Sequence, residues 1–402
     1  MSWLFALLCA ILLAQLVYPA LLITLARLRS LPQRPTAPAA SVKFACIITA
    51  YRNAAIAQPL VQSLLQQSCP DVQVYLVADE CPVFDFGITD PRYHPLIPES
   101  PLRLKVRSIR YAMSQLVEQP DYVVVFDADN LAHPKFLAQL KPWISAGFSC
   151  VQGQRTAKNL DTVYAALDSL GEHYKNFLER ETAFRLGSSA VISGSGMATR
   201  YDLYRAYLES EAIAQGHLLG KKMLQEDKIL QNFLLSQDIR IAYAREALVY
   251  DEKVSKGKDV ETQRGRWLYS YFQNIPNALT LLGLGVRNRS FNQLYFGAIT
   301  LVLPMFIQIG LAGLCLLAGL FLAPWWSLLL LLGLLVFMWN IWRVLQLDQA
   351  PEAVKRAVWL APVFILRQIR ALGNMRDPNR NFQPTENRQA RTVDEVLRER
   401  EE

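Results

Sequence analysis

The chain has 402 residues, 52% of them hydrophobic and 19% charged, with a formal net charge of +7. It is long enough for one large domain plus an appendage and more apolar than an ordinary soluble domain. The six cysteines and four histidines show no CxxC or Cys/His spacing, which argues against a disulfide framework or a zinc site and for a reducing compartment.

The apolar excess is concentrated at two places. Residues 1–26 and 290–342 carry no charge, whereas 40–288 have ordinary globular composition. Basic residues flank these runs: Arg27, Arg29 and Arg34 follow the first, Arg343 the second, and Arg376, Arg380, Arg388, Arg391, Arg398 and Arg400 mark the tail. Arginines placed beside apolar spans fit the cytoplasmic flanks of membrane helices. They do not form the single basic patch of a nucleic-acid protein, so no nucleic-acid partner is expected.

The first element, residues 1–29, is read as a transmembrane helix over 3–26, with Pro19 as a possible kink. A cleaved signal has its basic residues before a shorter apolar stretch, and here they come after. The N-terminus is then outside and residue 27 onward inside. SLPQRPTAPAAS, residues 30–41, is a Pro- and Ala-rich linker.

VKFACIITAY opens the globular part as a buried strand, and a helix with Ile56, Leu60, Leu64 and Leu65 on one face follows. VQVYLVAD (72–79) is a second strand. Residues 82–101 are a proline-rich loop, 104–119 a helix, and YVVVFDAD (122–129) the third strong strand. Nearly all-apolar strands alternating with helices predict an α/β fold: a mixed, mainly parallel sheet covered by helices on both faces. Ligands bind beyond the carboxyl ends of such strands, where Asp79, Asp127 and Asp129 fall. Further on come a strand at 149–154, a long helix at 160–185, a strand with a Gly-rich turn at 188–200, a helix at 218–237 and a last strand at 239–252. Residues 271–290 read as an interfacial segment containing Pro276. The uncharged run, within 291–347, divides at Pro324 into two transmembrane helices, about 293–321 and 325–345. Residues 348–375 are an interfacial helix or a third C-terminal span, and 376–402 an Arg-rich cytosolic tail.

Four acidic or basic motifs stand out. Asp127-Ala128-Asp129 puts two carboxylates at a strand end, where they repel unless a cation or substrate lies between them. Mg²⁺ or Mn²⁺ suits such oxygen ligands, commonly together with substrate phosphates. A lone DxD is also common as an acidic loop that caps a helix. Asp79 ends the preceding strand on the same rim. Glu226-Asp227 can supply a general base, although in isolation a solvated helix face explains the pair as well. In Gln263-Arg264-Gly265-Arg266-Trp267 the arginine suits a diphosphate and the tryptophan a sugar face. Alone it would equally be a membrane-border anchor.

In this order the motifs resemble those of membrane-bound glycosyltransferase family 2, which includes processive polysaccharide synthases and ceramide glucosyltransferases. The family pattern is D, DxD, (E/T/G)D, QxxRW between membrane helices, and the resemblance covers residues 42–270. It implies a GT-A fold, a nucleotide-diphospho-sugar donor and Mg²⁺ or Mn²⁺. Carried over, Asp79 would hold the uracil or ribose end, with Tyr51 stacking on the base and Lys105 near the donor phosphates. Asp127 and Asp129 would hold metal, diphosphate and donor sugar, and Asp227 would deprotonate the acceptor. Glu226, Gln263, Arg266 and Trp267 would line the diphosphate and acceptor side with the Gly194-Ser195-Gly196 turn. Phe382-Gln383-Pro384-Thr385 resembles an FxVT-type gating loop. Two positions depart from the pattern: Asn53-Ala54 lacks the usual acid, and Arg110 replaces an asparagine, which leaves base selectivity open.

The resemblance implies inverting transfer of a hexose or N-acetylhexosamine to a glycan or lipid at the cytosolic face of a membrane, such as a bacterial inner membrane. With few spans, a synthase would need an export partner or a homo-oligomer, whereas a lipid glycosyltransferase would add one sugar. A non-catalytic subunit is opposed by the intact acid set. A transporter is opposed by the uncharged 290–342 run.

Overall fold

The computed structural model describes residues 3–29, 41–211, 213, 226–362, 364–365, 368–369 and 391–401. The FxVT-like stretch at 382–385 lies outside them. The strands are β1 (Phe44–Tyr51), β2 (Val72–Asp79), β3 (Tyr93–Leu96), β4 (Tyr122–Asp127), β5 (Leu131–Ala132), β6 (Cys150–Ala157), β7 (Met197–Arg200) and β8 (Ile241–Asp251). They form one sheet in the order β3-β2-β1-β4-β7-β6-β8-β5. β1 runs parallel to β2 and β4, β2 to β3, and β6 to β8; β7 is antiparallel to both β4 and β6, and β5 to β8. The expected mixed, mainly parallel sheet is therefore present.

Its centre is buried because β-branched and aliphatic side chains fill both faces: Ile47, Ile48, Val74, Leu76, Val124 and Val125 have no exposed surface. The register sets Tyr51 beside Asp79 and Thr49 beside Asp127. The three strands thus end nearly flush and build one rim. Two elements of the sheet differ from expectation. β3 lies inside the proline-rich stretch read as a loop, and tolerates Pro95 because it is an edge strand. Between 188 and 200 only Met197–Arg200 is strand, since Gly194 and Gly196 take positive φ of 80° and 63° and turn the chain ahead of it.

Helix α1 (Trp3–Leu28) precedes the sheet, and α2 (Lys105–Ser114) lies before β4. Helix α3 (Val163–Lys175) continues through a π-helical segment at Asn176–Thr182, and α4 (Glu226–Ser236) leads to β8. Helix α5 (Gly257–Asn288) runs unbroken for 32 residues, so QRGRW and the stretch read as interfacial belong to one rod with Pro276 inside it. Then come α6 (Phe291–Thr300), α7 (Met305–Leu322) and α8 (Pro324–Leu347). The span expected from 293 starts instead at Met305, because Pro304, which has no N–H, caps that helix after a break.

Among the described residues three helices are long and apolar enough to cross a membrane: α1, α7 and α8. Leu16 and Ile23 of α1, Phe337 and Ile341 of α8, and Leu170 and Tyr174 of α3 share one hydrophobic cluster, which joins these helices to the sheet domain. Just beyond α8, buried Asp348 shares a hydrogen bond with His173 Nδ1 and receives one from Arg245 at 3.0 Å; Arg245 also pairs with Glu181 at 2.9 Å. Helix α9 (Val393–Glu401) docks through Val393 and Val396 on Leu131 and Tyr250. Its Arg400 donates to the Ala157 carbonyl at 2.6 Å and to Thr156 at 3.1 Å.

Candidate active site

The strand β4 ends at Asp127, and Ala128-Asp129 already lies in a turn. Strict alternation would send the two carboxylates to opposite faces; the turn removes that constraint. Asn130 fixes the turn: its Oδ1 accepts from Asp127 N–H at 3.1 Å and from the Ser195 hydroxyl, and its Nδ2 donates to Asp129 at 3.2 Å.

Lys105, the first residue of α2, reaches across the rim. Its ammonium donates to Asp127 Oδ1 at 2.7 Å and to the Gly194 carbonyl at 2.8 Å, and lies 3.3 Å from Glu226. Burial draws its pKa down, but Asp127 and Glu226 outweigh that and leave it raised, so the amine is charged. Glu226 is shifted upward, first by burial and then by Asp227, against the pull of Lys105. Asp227 sits against the same turn: a Cβ placed on Gly194 would lie 3.5 Å from its Oδ2. Residues from four separate stretches of sequence thus converge at Gly194.

Asp129 is half-buried, and its carboxyl is pushed up to about 7 by burial, then by Asp127 and Asp251, despite Lys158 and Arg155. A carboxylate held back in this way gains most from a cation. No group of three or more His, Cys, Asp or Glu side chains is arranged for a metal among the described residues. A hard cation on Asp127 and Asp129 would therefore complete its shell with water and substrate oxygens, a combination suited to Mg²⁺ or Mn²⁺.

Asp79 is 2% exposed, and both its oxygens accept backbone N–H groups, from Leu102 at 2.9 Å and Arg103 at 2.6 Å. It anchors the loop that enters α2. Tyr51 stands exposed at the end of β1, with Arg52 over its ring at 4.9 Å and its hydroxyl bonded to Glu80.

On the other side of Asp227 lies a cavity of about 600 Å³. Asp227, Lys228, Arg264, Arg266 and Trp267 line it, together with apolar side chains of α7 and α8. Arg264 stacks on Trp267 at 4.2 Å and pairs with Asp168. Lys175 lies 4.8 Å over the same ring. Burial pushes the pKa of Arg266 down. Gln263 lies one turn before Arg266 and Trp267 but is not among the residues lining the cavity.

Several structural residues escaped the sequence reading. Arg155 pairs with Asp251, donates to the Ser193 carbonyl at 2.8 Å and lines the cavity. Lys158, 2% exposed, holds the Asp129 carbonyl at 3.1 Å. Arg155 and Asp251 are diagonal neighbours on paired β6 and β8, a relation that spacing in the chain does not reveal.

The model of the glycosyltransferase-like family 2 matches residues 40–270, more than half of the chain. The chain belongs to this glycosyltransferase family. Among solved structures, a mannosyltransferase from Pyrobaculum calidifontis, in complex with GDP-Man and Mn²⁺, is 15% identical with a TM-score of 0.57, over 92% of this chain and 98% of that one. At this identity the likeness establishes the fold of the glycosyltransferase alone. A structure of S. aureus TarS 1–349 also matches, at 13% identity and a TM-score of 0.42, over 86% of this chain and 93% of that one. No curated protein matches the sequence.

Proposed function

We propose that this glycosyltransferase moves a sugar, with inversion, from a nucleotide-diphospho-sugar to an acceptor hydroxyl at the cytosolic membrane face. The supporting observation is the meeting of Lys105, Asp127, Glu226 and Asp227 at the Gly194 turn. A cation and three carboxyl groups gathered there support a site for a donor diphosphate beside an acceptor base.

Asp127 and Asp129 would hold Mg²⁺ or Mn²⁺, which when bound neutralises diphosphate charge as the donor bond breaks. The fixed ammonium of Lys105 adds positive charge there without reorganising. Asp227 opens onto the cavity and takes the acceptor proton as its oxygen attacks the anomeric carbon. One base without a carboxylate nucleophile corresponds to single displacement. Tyr51 offers a ring for the base, and Arg266 and Trp267 border the acceptor.

The test is donor turnover by the purified full chain. A panel of nucleotide sugars with Mn²⁺ or Mg²⁺ is supplied, and released nucleoside diphosphate is followed. Metal-dependent release is expected to fall about 10²–10⁴-fold in Asp227→Asn. Equal release by that variant would remove Asp227 as the base.

A further inference from the structure

Residues 191–193 approach the Gly194 turn outside any strand or helix, with Val191 and Ile192 buried and Ser193 half-buried. Buried backbone N–H and C=O groups need partners, and here side chains supply them where a sheet would elsewhere. Arg180 Nε donates to the Val191 carbonyl at 3.1 Å, the Ile192 N–H donates to Gln231 at 3.0 Å, and Arg155 donates to the Ser193 carbonyl at 2.8 Å.

Gln152 holds the turn itself. It lies in β6 with no exposed surface and uses both ends of its amide. Its Oε1 accepts from the Ser193 N–H at 3.1 Å, and its Nε2 donates to the Ser195 carbonyl at 3.0 Å and to the Gly153 carbonyl at 2.9 Å. One planar group therefore grips the chain on either side of Gly194, as a neighbouring strand would. Gly194, at a φ of 80°, has no side chain to fix its peptide plane, so the direction of its carbonyl depends on these flanking bonds. That carbonyl accepts from Lys105 at 2.8 Å, beside Asp127 at 2.7 Å and Glu226 at 3.3 Å.

We propose that Gln152 is a positioning residue for sugar transfer: it aims the Gly194 carbonyl at Lys105 and so keeps that ammonium fixed between Asp127 and Glu226. Fully buried and absent from the cavity lining, it acts through the turn and not on a substrate. A Gly194 peptide free to rotate would release the ammonium from one of its three partners. A charge that must settle during reaction stabilises a transition state less than one already in place. That the hold serves transfer rests on the function proposed above; the hold on Lys105 itself does not.

Two readouts on the full-length chain separate these halves. Gln152→Met keeps most of the side-chain bulk and loses both grips; Gln152→Glu keeps the shape and the acceptor for Ser193 and loses the Nε2 donor. Gln154→Met is the control, because buried Gln154, two residues along β6, accepts from the Tyr243 hydroxyl at 3.0 Å and not from the turn. Each protein, its folding checked by thermal unfolding, is briefly treated with acetic anhydride without substrate, and acetylation of Lys105 is followed by mass spectrometry. Lysine reacts as the free amine, so Lys105 short of an acceptor should label about tenfold faster in both Gln152 variants, the scale of one charge-assisted hydrogen bond, and at the parent rate in Gln154→Met. Donor turnover should fall about tenfold in Gln152→Met, but less than about twofold when that change is added to Lys105→Met, because the two residues act in series. Unchanged labelling, or a turnover loss that adds in full to that of Lys105→Met, would overturn the positioning role. If the unsubstituted chain turns over no donor while the labelling shift is present, the transfer reading fails and the hold on Lys105 stands.

Discussion

The strand-end rim and the cavity meet at Asp227, yet they are built in opposite ways. On the rim nearly every polar group is already held by the protein: Asp79 by two backbone amides, Asp127 by Lys105, and the DAD turn by Asn130 and Ser195. In the cavity Lys175 lies over the Trp267 ring, and α7 and α8 add apolar side chains to the lining. A site whose charges are fixed beforehand favours rate, because nothing reorganises during reaction. An open recess favours capture and selection of a partner.

Lys105→Met gives the sharpest break of that contrast. It removes the cation between Asp127 and Glu226, and kcat/KM should fall about 10²–10³-fold in steady-state assays. A change confined to the acceptor KM would mean that the rim is not organised through Lys105. Next in size is Gly196→Ala. Its φ is 63°, and a Cβ would meet Val249 Cγ2 at 2.6 Å. Stability should drop by about 1–3 kcal/mol, seen as a lower Tm. Gly283→Ala, where a Cβ meets nothing within 4 Å, is the control and should not lower Tm.

The smallest effect is the pH dependence of metal binding. The Asp129 carboxyl is held up to about 7, above the usual carboxylate range near ~4. Within that window the folded chain keeps a proton that the unfolded chain has lost, so metal-free stability falls as pH rises through it. A cation binds the deprotonated form. Mn²⁺ affinity, measured calorimetrically with a nucleoside diphosphate present, should rise about tenfold per pH unit below 7 and level off above. A flat profile between about pH 6 and about pH 8 would separate Asp129 from the metal.

The rim was legible in the sequence because it is local: VVVFDAD and VQVYLVAD each carry a buried strand and its terminal acid in one short run. The Gly194-Ser195-Gly196 turn was legible through glycine chemistry. The cavity was not, since Tyr18, Lys175, Asp227, Trp267 and Phe337 come from helices whose packing no periodicity specifies. Asp79 illustrates a subtler limit. Its position at the strand end was evident, but the backbone amides that occupy it belong to a loop whose conformation the proline-rich sequence does not disclose. Likewise β3 was hidden because edge strands accept proline.

Asp348 closes a bolted joint at the end of α8, tied to His173 in the sheet domain and through Arg245 to Glu181. That joint couples the sheet domain to the end of α8 through side chains on both. The height of Asp227 relative to α8 is set like the jaw of a locked caliper.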